Sequence, residues 1–165
     1  MNEEVNQLIE ALREELTQYG ELLALMQEQQ ELIIDRQPQE LDDNVSRVNA
    51  QMEKIANARD ARHAGRTAVT GVIGAPDDIT FHEMTDQLPE EYRPLLVALM
   101  EEINMLLKHI QKWLRQNHLL LQRSLELMGR LFQGVFPQTK PKTYSRTGYI
   151  SPVNPPPSSL YEGLI

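Results

Sequence analysis

No cysteine occurs among the 165 residues, which removes disulfide scaffolds, thiolate zinc sites and cysteine nucleophiles together and fits a reducing compartment. Aromatic residues make up only 5% against 41% apolar residues overall. The core must therefore rest on Leu, Ile, Val, Met and Ala, the usual filling of helical bundles, and a large β-sandwich is disfavoured. No apolar run approaches the roughly 20 residues of a membrane-spanning helix. The opening Met1-Asn2-Glu3-Glu4 is acidic where a secretory signal is basic, so the expectation is a soluble, cytoplasmic chain without a leader and without membrane insertion. Basic residues number 16 against 24 acidic ones, a formal charge of −8 that repels phosphate backbones. No face is expected to gather the positive charge, and nucleic acid is not an expected partner.

What the chain does contain is helical periodicity. From Val5 the apolar residues step by alternating fours and threes through Ile9, Leu12, Leu16, Tyr19, Leu23 and Met26, meet a polar Gln30, and resume at Ile33. Leu8, Leu22, Leu25 and Leu32 widen this seam, while Glu3, Glu10, Glu14, Glu21, Glu28 and Glu31 take other faces. A first helix is predicted over 2–36, with Gly20 tolerated inside it as a candidate point of close approach. Gln37-Pro38 reads as a tight reversal, because proline suits the first turn of the next helix and cannot continue the previous one. Leu41, Val45, Val48, Met52 and Ile55 then repeat the four-three step before Arg59 and Arg62 take the seam positions. The second helix is therefore predicted over 39–66, fading before Gly65. Residues 65–88 form the one long connection, within which Thr80 and Glu83 resemble a capping box that would start a short helix and carry Ile79, Phe81, Met84 and Leu88 to the core.

The last helix, predicted over 92–135, is the longest. One seam runs Leu96, Leu99, Ile103, Leu106, Ile110, Trp113, Asn117, Leu120, Ser124, Leu127 and Leu131. A second repeats by sevens through Met100, Leu107, Leu114, Leu121, Met128 and Val135. Two adjacent apolar seams on one helix need two partners, or one partner and a groove. Asn117 reads either as a polar layer that sets register or as part of a partner surface. From Pro137 the pattern stops, and a Pro-rich tail follows that cannot build a core of its own.

The fold class is thus all-α: an antiparallel up-and-down bundle of three long helices plus a short helix, over 1–136, with an extended Pro-rich tail over 137–165. Leu12, Leu16, Leu23, Val48, Met52, Leu99, Ile103, Leu106 and Ile110 are its expected core. The turn at Pro38 and Pro137 should lie at the same end.

Catalytic constellations are not evident. There is no phosphate-binding loop, no dinucleotide fingerprint and no nucleophile elbow. His82-Glu83 lacks the second histidine of a zinc protease helix, and His63, His109 and His118 share no ligand spacing with it. Asp77-Asp78 reads as a turn or helix start. Neither catalytic, metal-ligating nor cofactor-binding residues are assigned, and no cofactor is expected.

The long acidic first helix, the tight reversal, Gln116-Asn117-His118-Leu119-Leu120-Leu121 on the last helix and Thr143-Tyr144-Ser145-Arg146-Thr147-Gly148 beyond it resemble the FlgN family of flagellar type III export chaperones. The resemblance covers roughly residues 3–148, and the extension from Pro152 onward is outside the family pattern. It implies a non-enzymatic chaperone that holds the C-terminal helical region of the hook–filament junction proteins FlgK and FlgL and passes them to the export gate. On that reading Leu114, Asn117, Leu121, Met128, Phe132 and Val135 are the expected client surface. Tyr144 and Gly148 are the expected docking element for the cytosolic domain of the gate. The competing reading is a coiled-coil adaptor or structural protein that self-associates, as a homodimer for instance, through the same surplus seam and recruits a partner with its Pro-rich tail.

Overall fold

The computed structural model describes residues 1–76 and 78–135, with side chains through Leu131. Four helices make up its regular structure: α1 (Asn2–Ile34), α2 (Pro38–Ile73), α3 (Phe81–Asp86) and α4 (Arg93–Val135). The described residues contain no strand. The chain divides into two compact units, Met1–Glu126 and Leu127–Ile165. The described part of the second is the last turns of α4.

The reversal between α1 and α2 is built as the proline spacing requires. Gln37 N–H donates to Leu32 O at 3.1 Å and Arg36 N–H to Ile33 O at 3.4 Å, the paired bonds of a Schellman ending. Arg36 sits at φ 55, a left-handed conformation that costs a residue with a Cβ about 1–2 kcal/mol. Pro38 occupies the first turn of α2, where its missing N–H would have had no partner.

Contacts between α1 and α2 run antiparallel, since partners fall along α1 as positions rise along α2. Asn44 Nδ2 donates to Leu25 O at 3.1 Å, Gln51 Nε2 to Gln18 O at 2.9 Å, and Arg62 Nε pairs with Glu15 Oε2 at 2.5 Å. Gly65 then meets Leu8, whose Cα would lie 3.2 Å from a Cβ added there.

This last contact corrects the expected end of the second helix. Gly65 does not break α2; it is the place where α2 comes close to α1, and Val69 and Thr70 beyond it are buried. The helix ends at Gly74, φ +66, with Ala75 N–H donating to Thr70 O at 3.0 Å. The long connection expected over 65–88 thus shrinks to the short segments on either side of α3. Gly20, the candidate close approach, has nothing within 4 Å of an added Cβ.

Around α3 the local chemistry is as the spacing predicts. Thr80 Oγ1 accepts from Glu83 N–H at 3.2 Å while Thr80 N–H donates to Glu83 Oε2 at 2.9 Å, a complete capping box. The Thr80 hydroxyl and N–H hold the Glu83 carboxyl below its ordinary pKa. Arg93 Nε donates to Leu88 O at 2.7 Å and its Nη2 to Asp86 O at 2.6 Å, tying the end of α3 to the start of α4. Arg66 Nη2 donates to Ile79 O from the α2 side.

One buried cluster takes residues from all four helices and from the α2–α3 and α3–α4 connections, including Leu12, Val48, Ile79, Met84, Leu88, Leu99, Ile103 and Ile110. Leu16, Leu23, Met52 and Leu106, expected in the core, are half-buried against it, as is Phe81. Pro137, expected at the same end as Pro38, lies outside the described residues.

The two glycines give opposite expectations. Gly20→Ala should stabilise by about 0.5–1 kcal/mol, because the helix gains propensity at no steric cost. Gly65→Ala should destabilise, since the new methyl presses on the Leu8 backbone, which cannot move without shifting α1. Urea midpoints of the two variants check this, and equal shifts of the same sign would show that the α1–α2 approach at Gly65 is not tight.

Candidate functional site: the seam of the last helix

Burial along α4 changes in steps. Leu96, Leu99, Ile103, Ile110 and Asn117 are buried on one face. Trp113, Leu114, Leu120, Leu121 and Ser124 are half-buried. From there the same face is open: Leu125 is 59% exposed, Met128 57% and Leu131 64%, with Leu127 also exposed.

The step falls at Asn117, which is 1% exposed. Its Nδ2 donates to Met26 O at 2.7 Å and to Gln29 Oε1 at 3.1 Å, and its Oδ1 accepts from Gln30 Nε2 at 3.3 Å. Gln30 and Asn117 each interrupt an apolar seam, as Ser124 does farther along α4, and these two meet. The partners belong to the last turns of α1, which ends at Ile34. Past Asn117, α1 has little length left to offer, and apolar side chains that continue the seam lose their cover.

Of the expected client residues, then, Asn117 is held against α1 in this conformation and Leu114 packs against the core cluster. Leu121 is half-buried and Met128 exposed. Phe132 and Val135 lie in α4, with side chains beyond those described. Tyr144 and Gly148 lie outside the described residues.

A second polar layer crosses α1 and α2. Glu15 is 1% exposed and its Oε2 lies 2.5 Å from Arg62 Nε, without the alignment of a hydrogen bond. The contact is therefore held by charge rather than by direction. Burial, and next the Glu15 carboxylate, push the Tyr19 hydroxyl above its ordinary pKa, while Arg59 and Arg62 pull it down. The Asn44 Oδ1 is buried without a partner.

The back of α4 departs from the sequence expectation that no face gathers positive charge. Lys108, Lys112, Arg115, Leu119 and Arg123 follow one another by threes and fours and are all exposed. Residues 1–107 hold 8 basic and 22 acidic side chains, whereas residues 108–165 hold 8 basic and 2 acidic ones. Among the described residues no three His, Asp or Glu side chains converge as metal ligands, and no helix is long and apolar enough to cross a membrane.

A seam that outlasts its partner suits a protein that receives another helix. The family model for FlgN protein matches residues 1–152. The chain belongs to the FlgN family. This is a family of flagellar export chaperones and not of enzymes. Tyr144 and Gly148 fall within the FlgN match, whereas residues 153–165 fall outside it. No curated protein and no solved structure gives a significant match.

Asn117→Ala should cost about 1–3 kcal/mol, the usual loss when buried hydrogen bonds are removed and their partners stay buried. A double-mutant cycle with Gln30→Ala should return a coupling of at least about 0.5 kcal/mol. Additive losses in urea denaturation would mean that the two seams are not locked together at this layer.

Proposed function

We propose that this FlgN-family chain is a cytoplasmic export chaperone that binds the C-terminal helical region of hook–filament junction proteins of the FlgK and FlgL type along the open seam of α4, and delivers them to the export gate. The observation that carries the reading is the loss of cover beyond Asn117 on a face that stays apolar. Leu121, Met128, Phe132 and Val135 form the client surface, with Leu114 and Asn117 at its inner end. Residues 1–136 act as the chaperone domain, an up-down-up bundle of α1, α2 and α4, and residues 137–165 as a tail.

Magnitudes favour a releasable complex. Burying a large apolar side chain contributes about 1.5–3 kcal/mol. Leu125, Leu127, Met128 and Leu131 are already partly covered, so about 6–12 kcal/mol is an upper limit for the four. Association costs of about 4–15 kcal/mol consume most of this, and the client helix must add contacts of its own. Such a complex can hand over its client without nucleotide turnover. An amphipathic client helix laid in an apolar groove is a general recognition mode, with anchors at steps of three and four.

Leu121→Asp combined with Met128→Asp should abolish capture of hook-associated proteins in a pull-down while leaving helicity by circular dichroism intact. Full capture with retained helicity would reject the seam as the client surface. For the tail, truncation before Pro137 should leave client capture unchanged and abolish interaction with the cytosolic domain of the gate, and Tyr144→Ala should reproduce most of that loss. A truncated chain that binds the gate but loses its client would reverse the two roles.

A further inference from the structure

The face of α4 opposite its seam carries Lys108, Lys112, Arg115 and Arg123, with Leu119 among them and Arg130 following Glu126 at the same steps. These side chains are exposed. Among the described residues none of these cations makes an ion pair. The outward face of α1 carries the opposite charge at the same pitch. Glu3, Gln7, Glu10, Glu14, Thr17, Glu21, Ala24, Glu28 and Glu31 alternate steps of four and three. Glu10 is engaged by Arg13 and Glu28 by Arg47, both on exposed side chains, while Glu3, Glu14, Glu21 and Glu31 have no ion pair among the described residues.

We infer that the basic stripe on α4 is an interaction surface for the acidic stripe on α1 of a second copy of this chain. Within one molecule α1 and α4 meet through Asn117 on their inner faces, which leaves both stripes outward and apart. Between two molecules the basic stripe on α4 of one can lie against the acidic stripe on α1 of the next, a head-to-tail contact that leaves one stripe of each kind free to add a further copy. The lengths agree: at about 1.5 Å per residue, Glu10 to Glu28 spans about 27 Å and Lys108 to Arg123 about 22 Å. Nucleic acid fits less well, because the acidic α1 face and the surplus of acidic side chains over residues 1–107 would repel it.

The pairs are exposed, so each contributes little and salt screens them. The resulting association is weak, concentration-dependent and readily reversed. It leaves the α4 seam open, so it is independent of the client-binding reading.

The test is sedimentation equilibrium of the full chain with charge-swapped partners. Wild type should self-associate, and its association constant should fall at least about tenfold between about 0.1 M and about 1 M salt, as the screening length drops from roughly 10 Å to roughly 3 Å. K108E/K112E/R115E/R123E and E10K/E14K/E21K should each be monomeric, with helicity unchanged by circular dichroism. Mixed together, the two variants should associate again, alternating head to tail, because the acidic α1 of one meets the basic α4 of the other. Milder glutamine substitutions at the same four α4 positions should also abolish self-association, which guards against misfolding of the reversed variant. Wild type that stays monomeric at low salt, variants that still self-associate, or mixing without recovery would each overturn the proposal. Recovery is the decisive result, since an acidic partner of another kind, or a nucleic acid, would not produce it.

Discussion

The contact between Asn117 and the last turns of α1 divides the longest helix into a part packed against α1 and a part that is exposed among the described residues. Three hydrogen bonds meet there, from a side chain that is almost fully buried. A buried asparagine that is satisfied in only one alignment penalises every slipped register. It therefore fixes which stretch of α4 lies against the last turns of α1. If α4 were shifted by a heptad toward α1, Leu121 and Ser124 would gain cover and the open seam would shorten. The amount of apolar surface left for another molecule is set by a polar group.

The pairing of α1 with α2 rests on a different balance. α2 buries only Val48, Ile55, Ala58 and Val69 as apolar side chains, together with Asn44, Gln51 and Thr70. Asn44, Gln51 and Arg62 reach across to α1 at successive levels, and Gly65 lets the backbones approach at the far end. Hydrogen bonds such as those of Asn44 and Gln51 contribute less net stability than packed aliphatic layers, and they discriminate strongly against wrong alignments. The short reversal at Pro38 limits the alternatives further. α2 thus behaves as an aligned cover for α1, which buries Val5, Leu8, Ile9, Leu12, Tyr19, Leu22, Leu25, Met26 and Ile33 and so supplies much of the apolar mass.

Much of this was legible in the sequence because it depends on periodicity and local stereochemistry. The four-three steps placed α1 and α4 to within a few residues, Pro38 marked the start of α2, and Thr80 with Glu83 marked the start of α3. The end of α2 was not legible. Fading apolar periodicity near Gly65 suggested a breaker, and only the position of Leu8 reveals that a side chain there would collide with another helix. Gly20 and Gly65 look alike in one dimension. At the site, the surplus length of the α4 seam could be read from spacing, yet the burial of Asn117 needed Met26, Gln29 and Gln30 brought from some 90 residues away. The basic stripe was hidden for a simpler reason: a net charge averages over faces, and a helix does not.

The separation between Asn117 and its partners also bears on the order of assembly. The α1–α2 contacts link residues 16 to 33 apart where Asn44, Arg47 and Gln51 reach α1, whereas the α1–α4 contacts link residues 87 to 91 apart. Closing a short loop costs less chain entropy than closing a long one, so the helical hairpin has the kinetic advantage. During synthesis the whole hairpin leaves the ribosome before the middle of α4 is made. The newborn chain accordingly passes through a stage in which the α1 face destined for α4 is bare, and docking of α4 ends that interval of vulnerability to aggregation.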